Sequence, residues 1–277
     1  ENGKDIFNPS FDKFLEIYAG VQGTKIIITY KNRTSQELNQ QIRNQRFGCP
    51  DLPIQQSDII IIGHNNYRKG IMNGEFGVVA EVSETTTSRT VKFYTKGSQV
   101  THPGNRAVAK EITLTWRWVE LVFPDSDEEN KIVKGYVLEN ALHGENNLTP
   151  DEIQALQVDF SKRYPNLKRQ SEEYTNARLT DDYFNCIILK YGYAVTCHKA
   201  QGGEWDNVFT VWDYHNAEAF NCFTDANSKE GKTNIGFYRW AYTAITRASK
   251  ILYTLNPPYF NSYSSMSFIN ASVFDSL

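Results

Sequence analysis

The chain has 277 residues, 40% hydrophobic and 22% charged, with a formal net charge of −3. That balance suits a globular protein of one or two domains and excludes a uniformly basic nucleic-acid binder, though not a local basic groove. The longest apolar run, Ile59 to Ile62, is far too short to span a bilayer, and no signal-peptide pattern opens the chain, so no membrane partner is expected. The four cysteines (Cys49, Cys186, Cys197 and Cys222) have no CxxC spacing. Neither a disulfide framework nor a zinc site is therefore expected, and a reducing, cytoplasmic compartment fits them best.

FDKFLEIYA (11–19) has helical apolar spacing, and TKIIITY (24–30) reads as a buried strand because a short β-branched run is bounded by glycine and polar residues. RTSQELNQQIRNQRF (33–47) reads as the following helix, with Thr34 or Ser35 as N-cap and Glu37 in its first turn. The middle predicts closely spaced strands: SDIIIIG (57–63), EFGVVAEVS (75–83), RTVKFYT (89–95), AVAKEITLTWRWVELVF (107–123) and KIVKGYVLEN (131–140). Asn-Gly, Gly-Ser and acidic turns join them, and NGEFG (73–77) reads as a hairpin turn. Such a run implies a small barrel inserted into an α/β domain, with Trp116, Trp118 and Tyr136 at core spacing. TPDEIQALQVDFSKRY (149–164) is a helix that Thr149 caps and Pro150 begins, and the basic KRYPNLKRQ (162–170) reads as a solvated face. NCIILKYGYAVTC (185–197) and NVFTVWD (207–213) are strands, GFYRWAYTAITRA (236–248) is a helix and KILYTL (250–255) a last strand.

The chemistry concentrates between two of those strands, in AVTCHKAQGGEWDNVF (194–209). The glycines there allow a close approach to a ligand or a positive φ. Thr196, His198 and Lys199 supply donors suited to phosphate oxygens, the way proteins hold a nucleic-acid backbone without reading sequence. Glu204, acceptor only when ionised, suits a ribose hydroxyl. Arg247, near the end of a helix of small and aromatic residues, could reach across a cleft to a γ-phosphate. Taken singly, each has a plainer account: His198 as a satisfied histidine of a polar turn, Arg247 as a helix-end charge. Tyr242 and Thr246 read as packing and capping residues. Asn32 and Arg33 follow a buried strand directly, where α/β folds place ligand contacts, and they equally suit turn and capping chemistry.

YAVTCHKAQGGEWDNVF followed about thirty residues on by FYRWAYTAITRASKILY resembles motifs V and VI of superfamily 1 helicases, in particular the RecD-like, 5′-to-3′ branch. IIGHNNYRKGIMNGEFGVV (61–79) is similar to that branch's entry into an inserted SH3-like barrel, and TYKNRTSQELNQQIR (29–43) to its motif IV region. The resemblance implies a second RecA-like domain, its parallel sheet interrupted by the barrel and a helical arm. The parts would be 1–56 and 185–277 for the RecA-like domain, 57–148 for the barrel and 149–184 for the arm. It also implies that Thr196 and His198 touch DNA and that Gln201 and Gly202 couple the DNA and nucleotide sides. Gly203 and Glu204 would face the nucleotide, as would Arg33, with Asn32 on the nucleic acid. Arg247 would be the arginine finger.

ANSKEGKT (226–233) satisfies a loose phosphate-loop pattern, yet no buried strand runs straight into it, and it falls in the connection between motifs V and VI. It reads as coincidence. No other phosphate loop exists, and no acidic metal-binding motif precedes residue 24. ATP with Mg2+ is thus expected to be held by an N-terminal RecA-like domain of the same protein, with single-stranded and duplex DNA as the other partners. Glu1 stands first rather than methionine, and the chain is expected to be the C-terminal half of an ATP-dependent DNA helicase, inactive alone. An RNA-directed helicase and a non-catalytic nucleic-acid-binding module are the rival readings.

Overall fold

The structure is a computed structural model, and it describes residues 6–7, 10–49, 52–96, 107–124, 130–144, 147–213 and 234–255. In chain order the elements are β1 (Ile6–Phe7), α1 (Phe11–Gly20), β2 (Lys25–Thr29), α2 (Asn32–Phe47), β3 (Ile59–Ile62), β4 (Phe76–Lys96), β5 (Ala107–Phe123) and β6 (Lys131–Leu138). They continue as α3 (Asn140–His143), α4 (Pro150–Arg163), α5 (Glu172–Thr180), β7 (Leu189–Tyr191), β8 (Ala194–Thr196), β9 (Trp205–Val211), α6 (Ile235–Ile245) and β10 (Ala248–Leu255). Two compact units result: residues up to Ser35 together with those from Val195 onward, and Gln36–Ala194 between them. No described helix is long and apolar enough to cross a membrane.

The first unit carries a five-stranded sheet in the order β1-β10-β9-β2-β8, in which β10 runs parallel to β1 and β9, and β9 parallel to β2. This fits the RecA-like α/β class expected. Interior position explains the composition of β2: Ile26, Ile27, Ile28 and Thr29 are all buried, because both faces of a parallel sheet are covered. On α1, Phe14, Leu15 and Tyr18 recur at helical spacing and are buried. Phe14 and Tyr18 meet Phe209 of β9 edge-on at 5.2 Å, while Tyr253 of β10 stacks on Phe209 at 4.3 Å. Just past the strand ends, Trp212 and Tyr30 pack against Trp240 of α6.

The second unit is built on a mostly antiparallel sheet, β6-β5-β4-β3-β7. EFGVVAEVS and RTVKFYT, expected as two strands, are one 21-residue strand. The residues between them stay in the ladder, with register shifts at Val79/Glu81 and Val82/Thr86 absorbing the irregularity. Ile187, ahead of β7, makes a parallel bridge to Val137 of β6, so the two edges of the sheet are joined. On one face of the β4–β5 ribbon, Val91, Phe93, Leu114 and Trp116 form a core with Ala155 and Leu156 of α4. Trp116 is fully buried and its indole N–H donates to the Tyr183 carbonyl at 3.0 Å; Tyr136 stacks on Tyr183, and Trp118 is half-buried. The Thr149 capping box forms as expected, with Pro150 opening α4. Of the basic stretch, Arg163 is committed to Asp159 and Asp181, which leaves Lys162, Lys168 and Arg169 exposed.

One polar cluster of this unit has no precedent in the sequence reading. Arg43 on α2 and Asp58 before β3 form a bidentate pair at 2.9 and 3.0 Å, with 2% and 0% of their side chains exposed. The remaining guanidinium donors reach the carbonyls of Leu52 and Pro53, and the ring of Tyr191 lies 3.9 Å beneath. Asp58 also accepts from the Tyr193 hydroxyl at 2.8 Å and the Gln55 amide at 2.8 Å.

The stretch 185–197, expected as one strand, divides at Gly192–Tyr193 into β7 and β8, which belong to different sheets. Gly192 is pressed on the main chain of Ile60, where an added Cβ would stand 3.0 Å from the Ile60 carbonyl carbon. Beyond it, Asn39 of α2 grips Ala194 at both main-chain groups: its amide donates to the carbonyl at 2.7 Å and its oxygen accepts from the N–H at 2.9 Å.

Candidate functional site

β2 and β8 are neighbours in the parallel sheet, and their C-terminal ends lie side by side: the Cys197 amide donates to the Thr29 carbonyl at 3.0 Å. Both sequence-predicted turns leave from this edge, where α/β folds place ligand contacts. After β8 the chain coils tightly. The Lys199 and Ala200 amides donate to the Thr196 carbonyl at 2.8 and 3.2 Å, and the Gly203 amide to Ala200 at 3.2 Å. The two glycines serve different purposes. Gly202 sits at φ +88°, the left-handed region that side chains avoid. Gly203 lies under the Trp205 ring, where a Cβ would come within 2.2 Å of a ring carbon.

On this coil His198, Gln201, Gly202 and Glu204 are exposed, whereas Thr196 is 8% exposed and Gly203 is half-buried. Lys199 is half-buried and makes no ion pair among the described residues; burial alone lowers its ammonium below the ordinary lysine range. A phosphate oxygen there would restore what burial removes. Cys197 points inward: burial pushes its thiol up to about 11, and it donates weakly to the Trp240 carbonyl. It is an inert packing residue rather than a nucleophile.

Arg247 follows the end of α6 and turns back onto this coil. Nη1 donates to the Gly203 carbonyl, Nε to the Thr243 carbonyl and Nη2 to the Thr246 hydroxyl, each at 3.1 Å. In return the Arg247 carbonyl accepts from the Trp205 amide at 3.0 Å. Three neutral acceptors and, among the described residues, no carboxylate leave the guanidinium with its full charge and a planar fork suited to an anion. Thr246 does cap the helix, its hydroxyl donating to the Tyr242 carbonyl at 2.8 Å. Tyr242 does not pack as expected: it is 71% exposed, because the inward face of α6 is filled by Phe237, Trp240, Ala241 and Ala244.

Asn32 and Arg33 are exposed on the first turn of α2. The N-cap expected at Thr34 or Ser35 is corrected here, since the helix starts at Asn32 and no acid lies in its first turn. Sequence reading missed the reason. Asp213, just past β9, extends its carboxylate to the Tyr30 and Lys31 amides at 2.6 and 3.1 Å. A side chain 182 or more positions away thus supplies the anion that a local cap supplies elsewhere. The available signal was an acid directly after a buried strand. Asp213→Ala should lower stability by about 1–3 kcal/mol in urea unfolding, with Asp213→Asn recovering part of the loss because one acceptor remains.

ANSKEGKT (226–233) and Cys222 lie outside the described residues. Among the described residues no group of three or more His, Cys, Asp or Glu side chains could hold a metal ion.

Residues 191–255, which carry the coil, Arg247 and the strands between which they sit, match the UvrD-like helicase C-terminal domain family. No curated protein matches the chain. Among solved structures it is similar to Pif1 helicase from Bacteroides in complex with ADP-AlF3 and ssDNA, at 11% identity over 95% of this chain and 48% of that one, with a TM-score of 0.35. Bacteroides Pif1 bound to ssDNA gives 11% identity over 99% and 54%, TM-score 0.34. Pif1 helicase from Candida albicans gives 13% over 100% and 50%, TM-score 0.30. The chain spans about half the length of these structures.

Proposed function

We propose that this chain is the second RecA-like half of an ATP-dependent superfamily 1 DNA helicase of the RecD-like, 5′-to-3′ branch. The observation that carries the reading is the docking of Arg247 on the Gly203 carbonyl, which places a charge-bearing guanidinium and a phosphate-suited coil in one hydrogen-bonded assembly. The family match over the same residues supports it. ATP, with Mg2+ held by a separate N-terminal RecA-like domain, supplies the γ-phosphate whose hydrolysis drives translocation on single-stranded DNA and duplex unwinding. Arg247 stabilises the charge that develops on that phosphate, exchanging its neutral acceptors for an anion. His198 and Lys199, with Thr196 behind them and Asn32 on the neighbouring turn, hold the DNA backbone. Gln201 and Gly202 link the two ligands; Gly203, Glu204 and Arg33 lie on the nucleotide side. In this reading the second unit contains the SH3-like barrel, 57–148, and the helical arm, 149–184; the Val137–Ile187 bridge between its sheet edges supports the barrel.

The test is a comparison of ATP turnover. The isolated 277-residue chain should hydrolyse ATP no faster than buffer, whereas the protein with its N-terminal domain should do so in response to single-stranded DNA. Helicase-like turnover by the isolated chain would refute the proposal. Stimulation by RNA but not DNA would redirect it to RNA.

A further inference from the structure

We infer that Trp205 is a positioning residue for Arg247, the fixed post against which the coil and the guanidinium are registered. The inference rests on the reading of Arg247 as the residue that meets the γ-phosphate.

Trp205 touches both partners of the Arg247–Gly203 hydrogen bond by different means. Its main-chain N–H donates to the Arg247 carbonyl at 3.0 Å, and its ring covers the α-carbon of Gly203, whose carbonyl receives Nη1. Hydrogen bonds on both sides hold the residue itself. The Ser249 hydroxyl donates to the Trp205 carbonyl at 3.2 Å. The next residue, Asp206, accepts from the Thr24 amide at 3.1 Å, pairs with Lys250 at 2.9 Å and closes over Gly23. The start of β9 is therefore anchored to β2 and β10.

The other side of the contact is soft. Gly202 and Gly203 have no side chains to hold them, and the one main-chain bond found at Gly203's amide is a turn bond of 3.2 Å to Ala200. A pull on His198 or Lys199 by a bound phosphate backbone moves the glycine pair and not the tryptophan. The ring limits that movement to sliding across its face, so the Gly203 carbonyl either stays beneath Nη1 or leaves it. Without the ring, Gly203 could shift freely and the guanidinium would lose its registration with the coil. A wide aromatic at this position thus turns motion of a flexible turn into a defined release of Arg247.

The experiment uses the protein with its N-terminal domain and measures four variants: Trp205→Ala, Trp205→Phe, Arg247→Ala and the Trp205→Ala/Arg247→Ala double. Trp205→Ala should lower DNA-stimulated kcat by about 10- to 100-fold, the scale of a misplaced catalytic group. The ATP KM and DNA Kd should stay within about threefold, since the proposed reading assigns neither ligand to the ring. Trp205→Phe should restore most of kcat, because a flat ring over Gly203 remains. The double variant should be no slower than Arg247→Ala alone, as expected for residues acting as a unit. Normal stimulation in a folded Trp205→Ala protein, or a double variant slower than Arg247→Ala, would overturn the inference. A proportional fall in kcat, DNA affinity and thermal midpoint, not rescued by phenylalanine, would overturn it equally by assigning Trp205 a purely structural role. Undiminished turnover in Arg247→Ala would sink the arginine-finger reading itself, a result distinguishable from the others.

Discussion

Under the proposed function, Arg247→Ala is expected to lower DNA-stimulated ATP turnover of the protein with its proposed N-terminal domain by about a thousandfold or more, the scale of an arginine finger. Single-stranded DNA affinity should change little, because the guanidinium faces Gly203, Thr243 and Thr246 rather than the exposed side of the coil. Arg247→Lys should recover only a small part of the rate. Lysine keeps the charge but not the fork, and cannot make the bonds to Gly203 and Thr243 together. Stability should fall by no more than about 1–2 kcal/mol, since the groups left without this donor are two part-buried carbonyls and an exposed hydroxyl. Steady-state turnover beside equilibrium urea unfolding separates the two effects. A large stability loss with unchanged turnover per folded molecule would show Arg247 to be a helix-end strut.

The second large effect lies in the other unit. Asp58→Ala should destabilise the Gln36–Ala194 unit by about 3–5 kcal/mol, because it strands the fully buried Arg43 guanidinium. Arg43→Met should cost a similar amount by leaving the carboxylate with only the Tyr193 hydroxyl and the Gln55 amide. Tyr193→Phe removes one hydrogen bond and should cost about 1–2 kcal/mol. The double variant Arg43→Met/Asp58→Leu is the informative one. If burial of two charges is the dominant cost, it should be more stable than either single variant, despite having no ion pair. Denaturant unfolding followed by a probe within this unit reads all four.

How much of this was legible in the sequence depends on the range of the interactions. The tight coil from Thr196 to Glu204 was legible as a turn because its glycines answer to local geometry: Gly202 takes a positive φ and Gly203 leaves room for the Trp205 ring. The α4 capping box was legible for the same reason: Thr149, Pro150 and Glu152 satisfy one another within a single turn. The division of 185–197 was not, since its apolar run suits one strand as well as two, and what separates β7 from β8 is the main chain of Ile60. Arg43 was hidden too. It lies in NQQIRNQRF, a polar run, and its burial is justified only by partners distant in sequence or outside the helix: Asp58, the Leu52 and Pro53 carbonyls and the Tyr191 ring. Asp213 and Trp205 act on partners settled only once the sheet has formed, and the one local mark is the acid that directly follows the buried β9. The turn proposed as the site could thus be singled out from sequence, whereas the long-range contacts around it could not.

The grip of Asn39 on Ala194 has a bearing on self-association. β8 is an edge of the parallel sheet, and an edge strand with vacant amides and carbonyls invites another chain to continue it. Here the vacancy is closed twice over. The Asn39 carboxamide stands beside Ala194 as a single borrowed peptide group would, and the Thr196 carbonyl is taken by Lys199 and Ala200. Among the described residues the opposite edge, β1, spans Ile6–Phe7. Among the described residues, little of the β8 margin is thus left open for a further strand to pair with.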